Sequence, residues 1–174
     1  MTLLVPDLMA EVSPGLSAAG FSLGEDFSCV QKKIGAVEWY DSNSGLNKIL
    51  LESSGWIGVR TAVGSAIGMG TVVESFSYRN DWVSLDFGGG NKLYRIVVGR
   101  GYQGKFKVVM PGSELLLLED FYELDFNDVD DEFLIVENGT YIEGISFITD
   151  YRAPLEYESN QKIELISVHD WSFQ

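Results

Sequence analysis

Glu132-Phe-Leu-Ile-Val-Glu137, then Asn138-Gly139, then Thr140-Tyr-Ile-Glu-Gly-Ile-Ser-Phe-Ile-Thr149 is the stretch on which the fold turns. Asn-Gly readily supplies two successive positive φ angles, as a type I′ turn requires, and the residues on either side are largely β-branched or aromatic. The spacing predicts a β-hairpin with arms at 132–137 and 140–149. Further out, Trp82 to Phe87, Gly88-Gly89-Gly90 and Lys92 to Val98 predict a second hairpin. Its first arm places Trp82, Ser84 and Asp86 on one face and Val83, Leu85 and Phe87 on the other. A third hairpin is predicted to join Leu46–Glu52 to Trp56–Val63 through Ser53-Ser54-Gly55, and Lys162 to Val168 reads as a last strand.

Nineteen glycines against four prolines fit many short strands joined by tight turns. One helix stands out near 25–34. Phe27, Val30 and Ile34 share one face, Glu25 and Asp26 sit at the dipole-positive start, and Lys32, Lys33 and Gly35 mark the end. The fold expected is therefore α+β and β-rich, with mainly antiparallel sheet and nine or more strands. Gly20-Phe-Ser-Leu-Gly24, Gly64-Ser-Ala-Ile-Gly-Met-Gly70 and Met110-Pro-Gly112 each precede a short segment and then a predicted hairpin. Two readings follow. Either three degenerate helix-then-hairpin units run over 20–63, 66–99 and 110–149, or an ordinary α+β chain spaces its hairpins this way without repetition. Thr71–Phe76 and Ser113–Asp120 are ambiguous between helix and strand.

At 174 residues the chain is expected to form a single domain, and 45% hydrophobic residues give it material for a core. Its net charge of −14 disfavours wrapping of nucleic acid phosphates or anionic lipid and makes a basic protein the natural partner. That charge is local. Residues 1–110 carry ten acids and ten bases, whereas residues 111–174 carry sixteen acids against Arg152 and Lys162 alone. One cysteine, Cys29, fits a reducing compartment, and its place beside Val30 on the predicted helix suggests burial as a small hydrophobe. The N-terminal residues lack the basic start of a secretory signal, and the apolar runs are far shorter than a membrane span, so a soluble, cytoplasmic protein is expected.

Several chemistries fail on inventory. One histidine and one cysteine cannot build a four-ligand zinc site, and no Gly-x-Ser-x-Gly elbow presents a serine to His169. The Gly64–Gly70 run lacks the Lys-Ser/Thr of a phosphate loop. A calcium loop starting at Asp125 fails at Val129 and has Asp130 where glycine is required. No cofactor, metal or catalytic residue is expected, and a hydrolase using paired carboxylates ranks last.

What remains is a surface. Glu119, Asp120, Glu123, Asp125, Asp128, Asp130, Asp131 and Glu132 place eight acids in fourteen residues, interleaved with Phe121, Tyr122, Leu124 and Phe126. The expected partner-binding residues are these eight acids with Tyr122 and Phe126 as apolar anchors; the alternative is a solvated loop that aids solubility.

Gly20-Phe-Ser-Leu-Gly24-Glu-Asp-Phe-Ser-Cys-Val-Gln-Lys-Lys-Ile-Gly35, followed by a hairpin and an acidic β-rich C-terminal half, resembles the small cytoplasmic immunity proteins of bacterial contact-dependent growth-inhibition systems. The likeness covers the first third by motif and the rest by composition and element order. It implies a non-enzymatic protein that binds and blocks the toxic domain delivered by a neighbouring cell, often a nuclease. A nuclease must present Lys and Arg to phosphates, so an acidic surface can compete for that ground, and sheet edges can add main-chain pairing. The other reading is a β-rich domain that binds a small ligand or carbohydrate through Trp39, Trp56, Trp82 and Trp171.

Overall fold

Period-two alternation makes one face of a strand apolar, and such strands are stable only when that face is covered. In the computed structural model, which describes residues 4–42, 45–63 and 71–174, these segments pair into one ten-stranded sheet. A short hairpin of β1 (Ser17–Ala18) and β2 (Phe21–Ser22) precedes α1 (Phe27–Ile34), β3 (Trp39–Asp41) and α2 (Leu46–Glu52). The long strands follow: β4 (Trp56–Val63), β5 (Thr71–Tyr78), β6 (Val83–Phe87) and β7 (Leu93–Val98). After a 3₁₀ turn at Leu115–Leu118 come β8 (Glu123–Asn127), β9 (Glu132–Glu137), β10 (Thr140–Tyr141), β11 (Ile145–Thr149) and β12 (Ile163–His169), with a second 3₁₀ turn at Trp171–Phe173.

The chain is β-rich and mainly antiparallel, as expected; β3 alone runs parallel to its neighbour, β4. β8 forms one edge. Val136 pairs with Glu123 of β8 and with Tyr141 of β10, and Phe133 pairs with Phe126 of β8 and Phe147 of β11, so β8 lies on one side of β9 and the β10–β11 arm on the other. From there the order continues through β12, β7, β6, β5 and β4 to β3.

The registers Phe76↔Leu85, Leu85↔Ile96, Ile96↔Val168, Val98↔Ile166 and Phe147↔Ile166 align one continuous apolar face. Irregular segments and α1 cover it. Tyr102, Phe106, Val109, Leu115 and Leu118 are buried against it, and the Tyr102 hydroxyl donates to Ala10 O while accepting from Ala19 N–H, which ties down the N-terminal segment. α1 buries Val30 and Ile34 and lays Phe27 among Phe76 and Phe87, with ring centroids 5.2 and 5.0 Å away. Gly35, at φ 90°, ends the helix, and Lys33 reaches back to Glu25. Cys29 is exposed, contrary to expectation. One residue along a helix is a rotation of about 100°, which takes Cys29 off the face that Val30 occupies.

The hairpin at Asn138-Gly139 forms with positive φ at both residues, 52° and 75°. Its return arm is not continuous. After Tyr141↔Val136, with Ile142 N–H still donating to Ile135 O, the register jumps to Phe147↔Phe133, so the chain leaves the ladder at the Glu143–Gly144 turn, with Gly144 at φ 80° and its Cα packed against the Gly15 backbone. The second predicted hairpin forms as read, with Val83, Leu85 and Phe87 buried. The third does not: Leu46–Glu52 is helical, and β4 pairs with β5. Leu, Lys and Glu are strong helix formers, the half-buried Leu46, Ile49 and Leu50 fall at helical spacing, and Lys48 reaches Glu52 one turn on. Thr71–Phe76 resolves as strand, and in Ser113–Asp120 a 3₁₀ turn forms. Among the described residues, the span 66–99 holds β5, β6 and β7 without a helix, and in 20–63 no hairpin follows α1, so the helix-then-hairpin order is not reproduced in either. Gly64–Gly70, proposed as a preamble and rejected as a phosphate loop, lies outside the described residues. Among the described residues, no helix is long and apolar enough to cross a membrane.

Phe147 is fully buried and pairs with both Phe133 and Ile166, joining the acidic end of the sheet to its centre. Phe147→Ala should cost about 3–5 kcal/mol of unfolding free energy in denaturant titration. A cost typical of surface substitutions would show that this junction does not hold the sheet together.

Candidate functional site: an acidic edge and the cavity behind it

Alternation along β8 sorts the acidic segment. Glu123 and Asp125 face outward and are exposed, while Leu124 and Phe126 turn toward the core. Phe126 packs edge-on against Phe133 at 4.9 Å between centroids, and Tyr122 stacks on Phe106 at 5.9 Å. Those two rings, expected as partner anchors, are therefore spent mostly on the interior. Glu119 and Asp120 are exposed just after the first 3₁₀ turn. Asp128, Asp130 and Asp131 are exposed in the turn between β8 and β9, where Asn127 accepts from Val129 N–H and donates to Asp130. Glu132, at the start of β9, is half-buried. The fold thus gathers Glu123, Asp125, Asp128, Asp130, Asp131 and Glu132 on one edge hairpin.

These carboxylates are uncompensated. Among the described residues all five ion pairs, from Lys33–Glu25 to Arg95–Asp86, lie between residues 25 and 95, so none of the sixteen acids after residue 110 has a cationic side chain within ion-pair distance. Among the described residues the outer edge of β8 is also unpaired: its one strand partner is β9, and no backbone hydrogen bond joins Glu123–Asn127 to a non-strand segment.

Behind this hairpin, beside the Glu143–Gly144 turn, lies a cavity of about 710 Å³, bounded by Asp130, Glu132, Tyr141, Glu143, His169 and Trp171 among others. His169, the last residue of β12, reaches it from the face of the sheet opposite the core. There the register aligns His169↔Arg95 and Arg95↔Asp86, and Arg95 Nε donates to Asp86 at 2.7 Å. Serines dominate the rest of that face: Ser146 donates to Glu132 at 2.6 Å, and Ser77 to Asp81 at 2.6 Å. Burial raises the Glu132 carboxyl above its ordinary range, against the Ser146 hydrogen bond, and the Asp130 charge adds to the rise. Burial also lowers His169, and the Arg95 charge lowers it further, which favours the neutral ring.

The sequence reading does not place His169, Arg95, Tyr141 or Glu143 in a site, and His169 enters it only as a rejected partner for a serine. The one signal for the first two was period-two spacing, Leu165, Ser167 and His169 on β12 and Arg95 and Val97 on β7, with polar residues at the strand ends. Of the four tryptophans proposed for a ligand site, Trp171 alone borders this cavity. Trp56 is buried with its indole N–H on Leu4 O, and Trp39 and Trp82 pack against the core. Among the described residues no three His, Cys, Asp or Glu side chains are grouped to hold a metal ion.

The neutral, buried His169 sets a pH dependence. The unfolded chain takes up its histidine proton near 6.5, and the folded chain does so only at lower pH. Just below 6.5 the unfolded state therefore binds more protons, and stability contributed by neutral His169 is lost as the pH falls. Denaturant titrations across this window should show wild type losing stability faster than His169→Gln below pH 6.5, and parallel curves would mean that the ring titrates as if exposed. No family model matches the chain, and neither a curated protein nor a solved structure matches it, so a functional assignment rests on this edge and cavity.

Proposed function

We propose that this protein binds and neutralises a basic protein domain, of the kind a nuclease toxin presents, through the acidic β8–β9 edge. The observation that carries the proposal is the coincidence of an unpaired strand edge with the chain's densest run of uncompensated carboxylates. A partner strand laid along β8 gains main-chain hydrogen bonds, and basic residues flanking it meet Glu123, Asp125 and the Asp128–Asp131 turn. Because Tyr122 and Phe126 are turned inward, charge and backbone pairing replace aromatic anchoring as the source of affinity, and the exposed Phe121 and Val129 are the apolar contacts left on this segment. The small-ligand reading keeps only Trp171 of its four tryptophans, which is why the edge is preferred.

The test is the C-terminal domain encoded by a large secreted toxin gene adjacent to the gene for this chain. Co-expression should restore growth, and the purified pair should associate at a rate that falls steeply with added salt. Replacing Glu123, Asp125, Asp128 and Asp131 by their amides should slow association at low salt by about tenfold or more and flatten its salt dependence, with unfolding midpoints little changed. Unchanged rates at every ionic strength would overturn the proposal.

A further inference from the structure

We propose that the cavity behind the Asn138-Gly139 hairpin is a seat for a guanidinium side chain, an arginine of the basic partner; this rests on the partner-binding reading above. Four carboxylates, Asp130, Glu132, Glu143 and Asp170, border the cavity, and among the described residues no lysine or arginine does. Arg95, the cation felt by Glu132, is already committed to Asp86. Glu132 keeps only the Ser146 hydroxyl as a side-chain donor. A carboxylate held half-buried with one neutral donor is stabilised by an incoming cation that brings further N–H groups.

A second observation, independent of the acids, comes from His169. It is 8% exposed, its Nδ1 lies 3.4 Å from Ser167 Oγ, and its Nε2 has no hydrogen-bond partner among the described residues. Among those residues no sealed side-chain nitrogen or oxygen lacks a partner, so Nε2 keeps accessible surface, and His169 borders the cavity. With the ring proton on Nδ1, toward Ser167, the neutral ring presents an Nε2 lone pair to an N–H donor.

Aromatic walls select the shape of that donor. Trp171 stacks on His169 at 4.6 Å between centroids yet is half exposed, as is Tyr141 on the β10 side. A planar guanidinium can lie over an indole or phenol face while its edge forks to carboxylates, whereas an ammonium is a point charge that can do only one of these well. The position also suits a docked partner, because Asp130 and Glu132 belong at once to the edge hairpin and to the cavity.

The probe is Nα-acetyl-arginine amide titrated into the full chain, followed by NMR at the Trp171 indole and the His169 ring, with Nα-acetyl-citrulline amide as the uncharged isostere. The expected result is saturable shifts at both rings with roughly millimolar affinity, at least about tenfold weaker for citrulline. Glu143→Gln, at an exposed position, should weaken arginine binding severalfold without moving the unfolding midpoint, and Trp171→Ala should weaken it by at least as much in a chain that still folds. Equal binding of citrulline, or shifts confined to other residues, overturns the seat. The two readings separate cleanly. If the amide substitutions at Glu123, Asp125, Asp128 and Asp131 still slow association with the basic domain, failure of the arginine titration removes the cavity's role and leaves the edge. If those substitutions change nothing, the edge falls whatever arginine does.

Discussion

The register between β7 and β12 governs both faces of the sheet. It sets Ile96 against Val168 inside and Arg95 against His169 outside. A slip of β12 by one residue would drive an imidazole into the core and expose Val168, which is fully buried. The apolar pairs thus pin the register, and the polar row on the other face follows from it. Asp86 then finds Arg95 across the next strand pair, and the half-buried guanidinium is matched where an unmatched one would be costly. His169 comes to rest at the rim of the cavity for the same reason, as the final outward residue of a strand held by its inward neighbours.

Charge is divided along the chain in the same way as structure. In the first part acids and bases pair across neighbouring elements, as with Glu25 and Lys33 or Arg60 and Glu74. In the last part, among the described residues, the carboxylates meet water or neutral donors such as Ser146 and no cationic side chain, a repulsive arrangement that the apolar inner face, from Phe126 through Phe133 and Phe147 to Ile166, must outweigh. The turn at Glu143–Gly144 belongs to this end too. By stepping out of the ladder it lets Gly144 meet Gly15 and leaves room between β9 and the end of β12.

Elements whose partners lie next to them in the chain were legible in the sequence. β6 and β7 are joined by three glycines, and α1 carries its own periodicity and end signals. α2 was misread because seven residues with four large aliphatics satisfy either period, and β4 was given the wrong partner because its true one lies beyond residue 70. The break in the β9 hairpin hid behind a glycine that read as ordinary strand. The acids at 119–132 were legible as a cluster, being contiguous, but which of their aromatic neighbours turned inward depended on the pairing of Phe126 with Phe133. The row Asp86, Arg95, His169 was invisible, since its members are up to 83 positions apart and meet only through two registers.

An open strand edge invites pairing with any chain that offers backbone, including another copy of the same protein. On β8 the outward residues are Glu123 and Asp125, and two such edges laid together would bring like charges face to face across the new ladder. The same residues that would welcome a basic strand thereby refuse their own kind. The edge is left unpaired without becoming sticky, a gatekeeper that discriminates by sign before any side-chain shape is read.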